Sequence, residues 1–443
     1  MFGFFTSSDK KMREHASTWL ELAEKVLHYR RDILSPTELA ELRARSAQVQ
    51  SEIRDQAEAP KLKLSIAALE QVLQRTGGKI YPKSSLVENV EFFLVAAIVI
   101  LGIRAYFLQP FKIPTNSMWP SYHGMTPEVF QTRSDEPGKV EQAVRFAAFG
   151  ARARRLDAPA SGEVLIPVGN TGGRAGVANY RVVPGRNWFV LPTQLREYNL
   201  YVNDTPVSVQ VPLDFDFDWA LRDAFFPQAA KLEEAIMPLI AAGKFEWREV
   251  VEEGRRVRMQ FVRIGRTVTA GDRLLSFDIL TGDQLFVDRM SYHFVAPSVG
   301  SGFVFRTKNI PGIADTYGDQ YYVKRLAGIP GDTLEIRRTK PDASVHGGRS
   351  TTGTLLRNGE PITGSAAFAR NNALEGRYRG YQALGLLQPG RTVEVPEHAF
   401  FTLGDNSSNS SDSRYWGFVP EKDVVGRPLV IYYPFTRRWG PAR

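Results

Sequence analysis

The chain has 443 residues, of which 43% are hydrophobic and 23% are charged, and its formal net charge is +8 at pH 7. This composition is typical of a globular protein with more than one domain, and the basic charge suits anionic lipid headgroups as well as nucleic acid. The complete absence of cysteine excludes disulfides, thiolate metal sites and cysteine nucleophiles.

The N-terminal part of the chain, residues 1–86, has the pattern of charged helices. Ser35-Pro36-Thr37-Glu38 predicts a helix start, with Ser35 as the N-cap, Pro36 in the first turn and Glu38 closing a capping box. A helix is predicted before this point, over about 9–33, and another over 62–76 that stops at Gly77. We expect a solvent-facing helical hairpin.

A strongly apolar run follows this helical segment. Residues 92–103 are wholly apolar and 105–108 extend the run past Arg104, which predicts a transmembrane helix over 90–108. A buried core helix is the alternative. Arg75, Lys79 and Lys83 precede the run, so the N-terminus is predicted to be cytoplasmic and the remainder to lie on the outer side.

Short strands and turns dominate from residue 109 onwards. Residues 109–122 and 279–443 are predicted to form one β-rich domain, and 123–278 an inserted domain whose role the sequence does not indicate. Asn358-Gly359 predicts a hairpin with a type I′ turn. The six histidines lack the spacing of a metal site, so neither a metal nor another cofactor is expected.

Two separated motifs suggest chemistry. Ser117 sits in the Pro-bracketed loop Pro114–Pro120, just past the apolar run. Lys324 lies in the apolar stretch 321–329, on the same strand face as Tyr322 and Leu326. A neutral lysine can take the proton of a serine if burial lowers its pKa towards 7–8. The alternative is a lysine at a sheet edge that pairs with an acid.

Together with the polar stretch Gly404–Gly417, these motifs resemble type I signal peptidase, a membrane-bound Ser-Lys endopeptidase. The family motif is Pro-Ser-Gly-Ser-Met-x-Pro, which 114–120 match except for Thr115 and Asn116. The resemblance implies that Ser117 is the nucleophile, Lys324 the general base, and Thr115 an oxyanion-hole donor. It also implies that Ser410 orients the lysine. Asn116 replaces a glycine and is the residue that best tolerates a left-handed backbone after glycine.

The resemblance extends to the substrate cleft and to the frame of the site. The side chains expected to line the cleft are Phe111, Ile113, Pro114, Met118, Tyr322 and Val323. Those expected to hold the shape of the site are Asp405, Asp412 and Arg414, with Asp412 and Arg414 as an ion pair. Ser407-Ser408 stands where the family often has Arg-Asp, which leaves the local salt-bridge network open.

By this resemblance the fold is mainly β, with a signal-peptidase-type catalytic core, an N-terminal helical segment and one transmembrane helix. The implied activity is removal of N-terminal signal peptides from exported pre-proteins, with cleavage after small residues. The expected location is the inner (plasma) membrane. The expected partners are pre-proteins, membrane lipid and the protein-export machinery, and not nucleic acid.

Two other functions are consistent with parts of the pattern. A self-cleaving repressor shares the Ser-Lys chemistry, but it would need a DNA-binding helix-turn-helix in place of 92–108. A membrane-anchored, non-catalytic β-rich adaptor is favoured by the inserted domain.

Overall fold

The computed structural model describes residues 8–171, 174–187, 191–252, 255–338 and 352–442. The chain divides into two compact units, Met1–Leu101 and Gly102–Arg443. Each unit has its own buried core, and the boundary between them falls within an apolar helix.

The first unit contains three amphipathic helices, α1 (Ser8–Arg30), α2 (Pro36–Arg54) and α3 (Ala59–Thr76). Ser35 caps α2 in a reciprocal capping box with Glu38, as predicted. The helices bury a shared core that includes Ala23, Leu42 and Leu69. The prediction of a hairpin is therefore wrong, because all three helices contribute to one apolar core.

The apolar helix α4 (Ser85–Tyr106) follows, and none of its residues is buried. Its 22 residues and mean hydropathy of 2.2 make it long and apolar enough to cross a membrane. It begins five residues before the predicted position 90 and ends before 108, because Leu108 is already paired with Asp288 in a β-ladder. Without buried residues, α4 does not match the alternative of a core helix.

The second unit is mainly β, as expected. Its strands in chain order are β1 (Leu108–Lys112), β2 (Thr126–Val129), β3 (Arg152–Asp157), β4 (Gly162–Thr171), β5 (Arg174–Ala178), β6 (Tyr180–Asn187), β7 (Leu191–Val202), β8 (Thr205–Pro212), β9 (Phe245–Glu252), β10 (Arg255–Val268), β11 (Arg273–Leu280), β12 (Gln284–Asp288), β13 (Gly302–Arg306), β14 (Tyr321–Gly328), β15 (Thr333–Arg338), β16 (Thr352–Arg357), β17 (Glu360–Pro361), β18 (Tyr381–Gln382), β19 (Val393–Glu394), β20 (Ala399–Leu403), β21 (Val419–Pro420), β22 (Val424–Tyr433) and β23 (Gly440–Pro441). Its helices are α5 (Lys139–Phe149), α6 (Phe217–Phe225), α7 (Leu232–Ala241), α8 (Ala314–Tyr317), α9 (Ala366–Ala373) and α10 (Ser413–Trp416).

The sheet that carries the predicted catalytic residues is antiparallel, with the order β1-β12-β22-β13-β14-β20-β21 and β23 added to β22. Its two faces bury different apolar clusters, one around Met118 and Val304 and one around Phe303 and Phe305. A second small sheet, β17-β16-β15-β19 with β18, packs beside it. Asn358 and Gly359 both have positive φ in the turn between β16 and β17, as a type I′ turn requires.

The strands between β1 and β12 form separate sheets. One has the order β6-β7-β4-β10-β9, with β5 and β8 at its sides, and the other the order β2-β11-β3. Together with α6 and α7 they surround a core that includes Val164, Phe217 and Phe277. Since every buried residue of this core lies between Met125 and Ile279, this part packs around its own interior.

Candidate active site

The loop that carries Ser117 follows directly from β1 and is held by hydrogen bonds to its backbone. Ile113 N–H donates to the Asp283 carbonyl at 2.8 Å. On the other side, Asn406 donates from its backbone to the Ser117 carbonyl at 3.1 Å and from its side chain to the Asn116 carbonyl at 3.0 Å. The serine loop is therefore held both by Asp283, the residue before β12, and by Asn406 of the Gly404–Gly417 stretch.

Asn116 has a role that its comparison with glycine did not predict. It is not among the described residues with left-handed backbone, and its side chain is buried. Its side-chain Nδ2 donates to the Met125 carbonyl at 2.8 Å, and its side-chain Oδ1 accepts from Gly124 N–H at 2.9 Å. Asn116 thus ties the serine loop to the chain that leaves it.

Ser117 and Lys324, 207 positions apart in sequence, meet in the structure. Lys324 Nζ lies 2.6 Å from Ser117 Oγ, within hydrogen-bonding distance. The lysine comes from β14 and is only 4% exposed. Among the described residues it forms no salt bridge, so the alternative of a lysine paired with an acid is not observed.

The surroundings of Lys324 favour its neutral form. Burial is the largest of the effects that lower the pKa of Lys324 from 10.5 to about 8; the charge of Arg414 also lowers it, while Asp412 and Asp405 oppose the shift. Both carboxylates are already bound by arginines, as described below. A lysine in this state can serve as a base near neutral pH.

Asp412 and Arg414 form a fully buried ion pair with two hydrogen bonds of 2.7 Å. Asp412 also accepts from Gly404 N–H at 3.0 Å. Arg414 donates to Ser407 Oγ at 2.6 Å and to the Ser407 carbonyl at 2.8 Å. Ser407 stands where the family often has an arginine. Here its hydroxyl and its carbonyl both accept hydrogen bonds from Arg414, so Ser407 is part of the buried network.

A second buried ion pair, which the sequence did not predict, lies beside Lys324. Arg325 binds Asp405 through two hydrogen bonds of 2.7 and 2.6 Å and also donates to the Gly300 carbonyl at 2.7 Å. Asp405 was expected to hold the shape of the site, but its partner Arg325 was not identified from the sequence. A buried charge needs such a partner, because an unpaired one is strongly destabilising.

Ser410 is buried close to the serine loop, but it does not make the expected contact. Its Oγ has no hydrogen-bond partner among the described residues. A Cβ on Gly404 would lie 2.1 Å from this oxygen and 2.5 Å from the Ser117 carbonyl, so the three residues are closely packed. The hydrogen bond from Ser410 that would orient Lys324 stays a prediction.

Two hydrogen-bond donors in the serine loop have no acceptor among the described residues. Within the described residues, neither Ser117 N–H nor the Thr115 hydroxyl makes a hydrogen bond, and Thr115 is exposed. Both are therefore free to bind an oxyanion, the role that the resemblance implies for them.

The six residues predicted to line the cleft do not form one wall. Ile113 and Met118 are buried in the core beneath the sheet, where Phe111 and Val323 pack partly against them. Tyr322 packs on the opposite face, and Pro114 is exposed. The expectation does not hold for Ile113 and Met118, because both side chains are buried and anchor the serine loop in the core.

An open strand edge lies next to Lys324. Leu326 pairs with Gly300 and Ser301 through its backbone, so by alternation Tyr321 and Val323 direct their N–H and C=O groups to the other edge. The ladder with β20 on that edge begins only at Arg325. Within the described residues, the N–H and C=O groups of Tyr321 and Val323 on this edge therefore have no strand partner.

The comparisons with known proteins identify the family. Residues 275–433 match the family model described as "Signal peptidase, peptidase S26". Signal peptidase I of Leptolyngbya laminosa is 30% identical over 177 residues, which cover 40% of this chain and 72% of the relative. The chain belongs to the signal peptidase I family, a family of membrane-anchored serine endopeptidases.

Other family members are similar to about a third of the chain. Probable signal peptidase I-1 of Synechocystis is 30% identical over 163 residues, which cover 36% of this chain and 66% of the relative. A solved structure of a signal peptidase I from Enterococcus faecalis is 29% identical, with 30% of this chain and 97% of that chain covered and a TM-score of 0.20. The chain spans 57% of the length of Probable signal peptidase I-2 of Synechocystis.

The family model includes Lys324 and the Gly404–Gly417 stretch but not the serine loop. The link between Ser117 and this family site therefore depends on the 2.6 Å contact with Lys324. The resemblance deduced from the motifs is confirmed at the level of the family, and the roles of individual residues are taken up as proposals.

Proposed function

We propose that this protein is a membrane-bound endopeptidase that removes N-terminal signal peptides from exported pre-proteins, with Ser117 as nucleophile and Lys324 as general base. The observation that carries the proposal is the contact of 2.6 Å between Lys324 Nζ and Ser117 Oγ, made by a buried lysine without a salt bridge among the described residues. A serine hydroxyl needs an adjacent base, and here that base is an amine with a lowered pKa.

In the first step, neutral Lys324 accepts the Ser117 proton while Oγ attacks the carbonyl carbon of the scissile peptide. The carbonyl π-electrons move to oxygen, and the oxyanion is bound by Ser117 N–H and the Thr115 hydroxyl. Removing one such donor typically costs about a hundred- to a thousandfold in rate. Lys324 then carries the positive charge beside a negative tetrahedral intermediate.

In the second step, Lys324 returns its proton to the amide nitrogen as the C–N bond breaks. The mature protein leaves with a free amino group, and the signal peptide remains as an ester on Ser117. A water molecule then attacks the ester, giving its proton to Lys324, and the signal peptide leaves as a carboxylic acid when Ser117 regains its proton. The same amine thus acts as base and acid in both halves of the reaction.

The open edge of β14 gives this mechanism a binding mode for the substrate. An extended peptide can pair with Tyr321 and Val323, which places alternate side chains of the substrate on the same face. Phe111 and Val323 pack partly against the core beside this edge, so we propose that the pockets for the substrate side chains are apolar and shallow. We infer cleavage after small residues, with small residues also at position −3.

A pre-protein series that varies only the residue at −1 tests this specificity. With Ala, Gly, Ser, Leu, Phe and Lys at −1, we expect kcat/KM to be highest for Ala and at least about a hundredfold lower for Phe. The reason is that a shift of about 1 Å at the scissile carbonyl costs about that factor. Equal values for Ala and Phe would contradict the shallow cleft.

We further propose that α4 spans the inner membrane once, with residues 1–86 in the cytoplasm and the β-rich unit on the outer side. The basic residues Arg75, Lys79 and Lys83 before α4 support this orientation. Membrane lipid and the export machinery are the partners that this location implies.

Cleavage of a pre-protein in detergent tests the proposed function. We expect the wild-type protein to release the mature part, and Ser117→Ala and Lys324→Ala each to lose all but a trace of this activity. An adaptor without catalysis would leave the pre-protein intact in the wild-type reaction as well. Substantial cleavage by either variant would refute the assigned roles.

A further inference from the structure

Helix α6 is firmly fixed to the core of the inserted part of the chain. Phe217, Ala220 and Leu221 are fully buried, at the spacing of one helix face. The Phe217 ring lies 4.6 Å from that of Tyr198 and 5.8 Å from that of Phe277, between centroids. The helix therefore moves with this core.

Trp219, between these anchors, contacts the serine loop instead. Its ring packs edge-on against the ring of Trp119, with centroids 5.4 Å apart and planes at 79°. Arg222 lies over Trp219 at 5.2 Å, and Arg377 lies over Trp119 at 5.4 Å. The two tryptophans thus form the middle of a stack that two guanidinium groups extend.

Trp119 is separated from the nucleophile by one residue only. That residue, Met118, is fully buried, and Trp119 N–H donates to the Asn116 carbonyl at 3.1 Å, so the segment 116–119 is a single tight turn around Ser117. A displacement of the Trp119 ring is therefore transmitted to Ser117 over a short, rigid path. The contact with Trp219 restrains this ring from outside the catalytic sheet.

The entry and exit of the inserted part are fixed as well. His123 N–H donates to the Asp283 carboxylate and Asp283 N–H to the His123 carbonyl, both at 2.8 Å. Arg438 binds the same carboxylate. With its two ends joined in this way, the inserted part can hold Trp219 at a constant position relative to the serine loop.

We propose that Trp219 is a positioning residue that acts through Trp119 to hold Ser117 in line with Lys324. The inserted part is then a component of the active site rather than an independent appendage. This inference rests on the proposed peptidase function. Because it concerns the reacting hydroxyl and not the substrate cleft, it predicts an effect on kcat and little effect on KM.

The test uses the full chain in detergent and compares Trp219→Ala, Trp219→Phe, Trp119→Ala and the double alanine variant. We expect Trp219→Ala to lower kcat about tenfold or more with KM within about twofold, and Trp219→Phe to retain most of the rate because it keeps an aromatic edge. If Trp219 acts through Trp119, the double variant is no slower than Trp119→Ala alone. Trp247→Ala is the matched control, since Trp247 is half-exposed on β9 of the same inserted part.

Several outcomes would overturn the proposal. They are a wild-type kcat in Trp219→Ala, additive losses in the double variant, or an equal loss in the Trp247→Ala control.

Acylation of Ser117 by an activated ester, followed by mass spectrometry, gives a second rate that does not depend on the pre-protein. If the wild type acylates but cleaves no pre-protein, the proposed function fails while the acylation rates of the variants still decide the role of Trp219. The unfolding temperature of each variant separates a loss of fold from a loss of position.

Discussion

In the proposed mechanism the protonation state of Lys324 controls the reactivity of Ser117, since only the neutral amine can accept a proton. With a pKa of about 8, the lysine is mostly protonated at pH 6 and mostly neutral at pH 9. We predict that kcat/KM rises about tenfold per pH unit below the pKa and levels off above it. Lys324→Arg should be inactive at every pH, because guanidinium stays charged. A flat profile from pH 6 to 10 would contradict the assignment of the base.

The same lowered pKa makes a prediction about stability. The folded protein binds the Lys324 proton less tightly than the unfolded chain, so the free energy of unfolding rises as the pH increases from about 8 to 10.5. Below pH 8 the burial penalty is fully present, at about 3 kcal/mol for a shift of this size. Lys324→Met, of similar volume, removes the penalty.

We therefore expect Lys324→Met to be more stable than the wild type at pH 7, by up to about 3 kcal/mol. The difference should shrink towards pH 10.5, in denaturant titrations of the full chain at a series of pH values. A variant that is less stable than the wild type at pH 7 would argue against a costly buried lysine. The proposed function of Lys324 as a base therefore reduces the folding stability of the protein.

Sequence motifs were sufficient to nominate Ser117 and Lys324, since each carries a local pattern. Two other contributions could not be predicted in this way. Asn116 looked like a tolerated replacement for glycine, while the structure uses its amide to bridge two backbone groups. The partners Arg325 and Asp405 are 80 positions apart, and no local signal links them.

Gly404, directly after strand β20, lies against Ser117. A Cβ at this position would lie 2.5 Å from the Ser117 carbonyl, so the backbone must shift. We predict that Gly404→Ala lowers kcat at least about a hundredfold, the cost of a displacement near 1 Å. Gly138→Ala is the control, because a Cβ there meets nothing within 4 Å. Wild-type activity in Gly404→Ala, or an equal loss in the control, would contradict this packing.

Elements with local signals were predicted well, as the capping box of α2 and the Asn358-Gly359 turn show. Elements defined by long-range contacts were not. The three N-terminal helices share a core that their individual patterns do not reveal. Likewise, Met118 and Ile113 were expected to line the cleft but are buried in the core. The sequence pattern alone does not show whether an apolar residue near Ser117 faces the substrate or the core.

At the scale of the whole molecule, the predicted mainly β fold with N-terminal helices is confirmed. The division into segments 1–86, 90–108, 109–122 with 279–443, and 123–278 stays a prediction, since the two compact units of the chain are Met1–Leu101 and Gly102–Arg443. No motif in the sequence indicated that the inserted part reaches the serine loop. The reason is that Trp119 and Trp219 are a pair only in three dimensions.

The proposed topology predicts which part of the chain is accessible from outside the cell. Protease added to intact spheroplasts should cut only the part of the chain after α4, and residues 1–86 should become sensitive only after lysis. The physical reason is the basic flank before α4, which favours the cytoplasmic side. Cutting confined to the first 86 residues in intact spheroplasts would show the opposite orientation.

The most direct measurement of the central claim, that Ser117 and Lys324 act as a nucleophile and its base, is site-mapped acylation as a function of pH. The full chain is treated with an activated ester, and the modified residue and its rate are determined by mass spectrometry. The dyad predicts modification of Ser117, at a rate that increases through pH 8, and a rate at least about a hundredfold lower in Lys324→Ala. Modification of another residue, or an unchanged rate in Lys324→Ala, would contradict it.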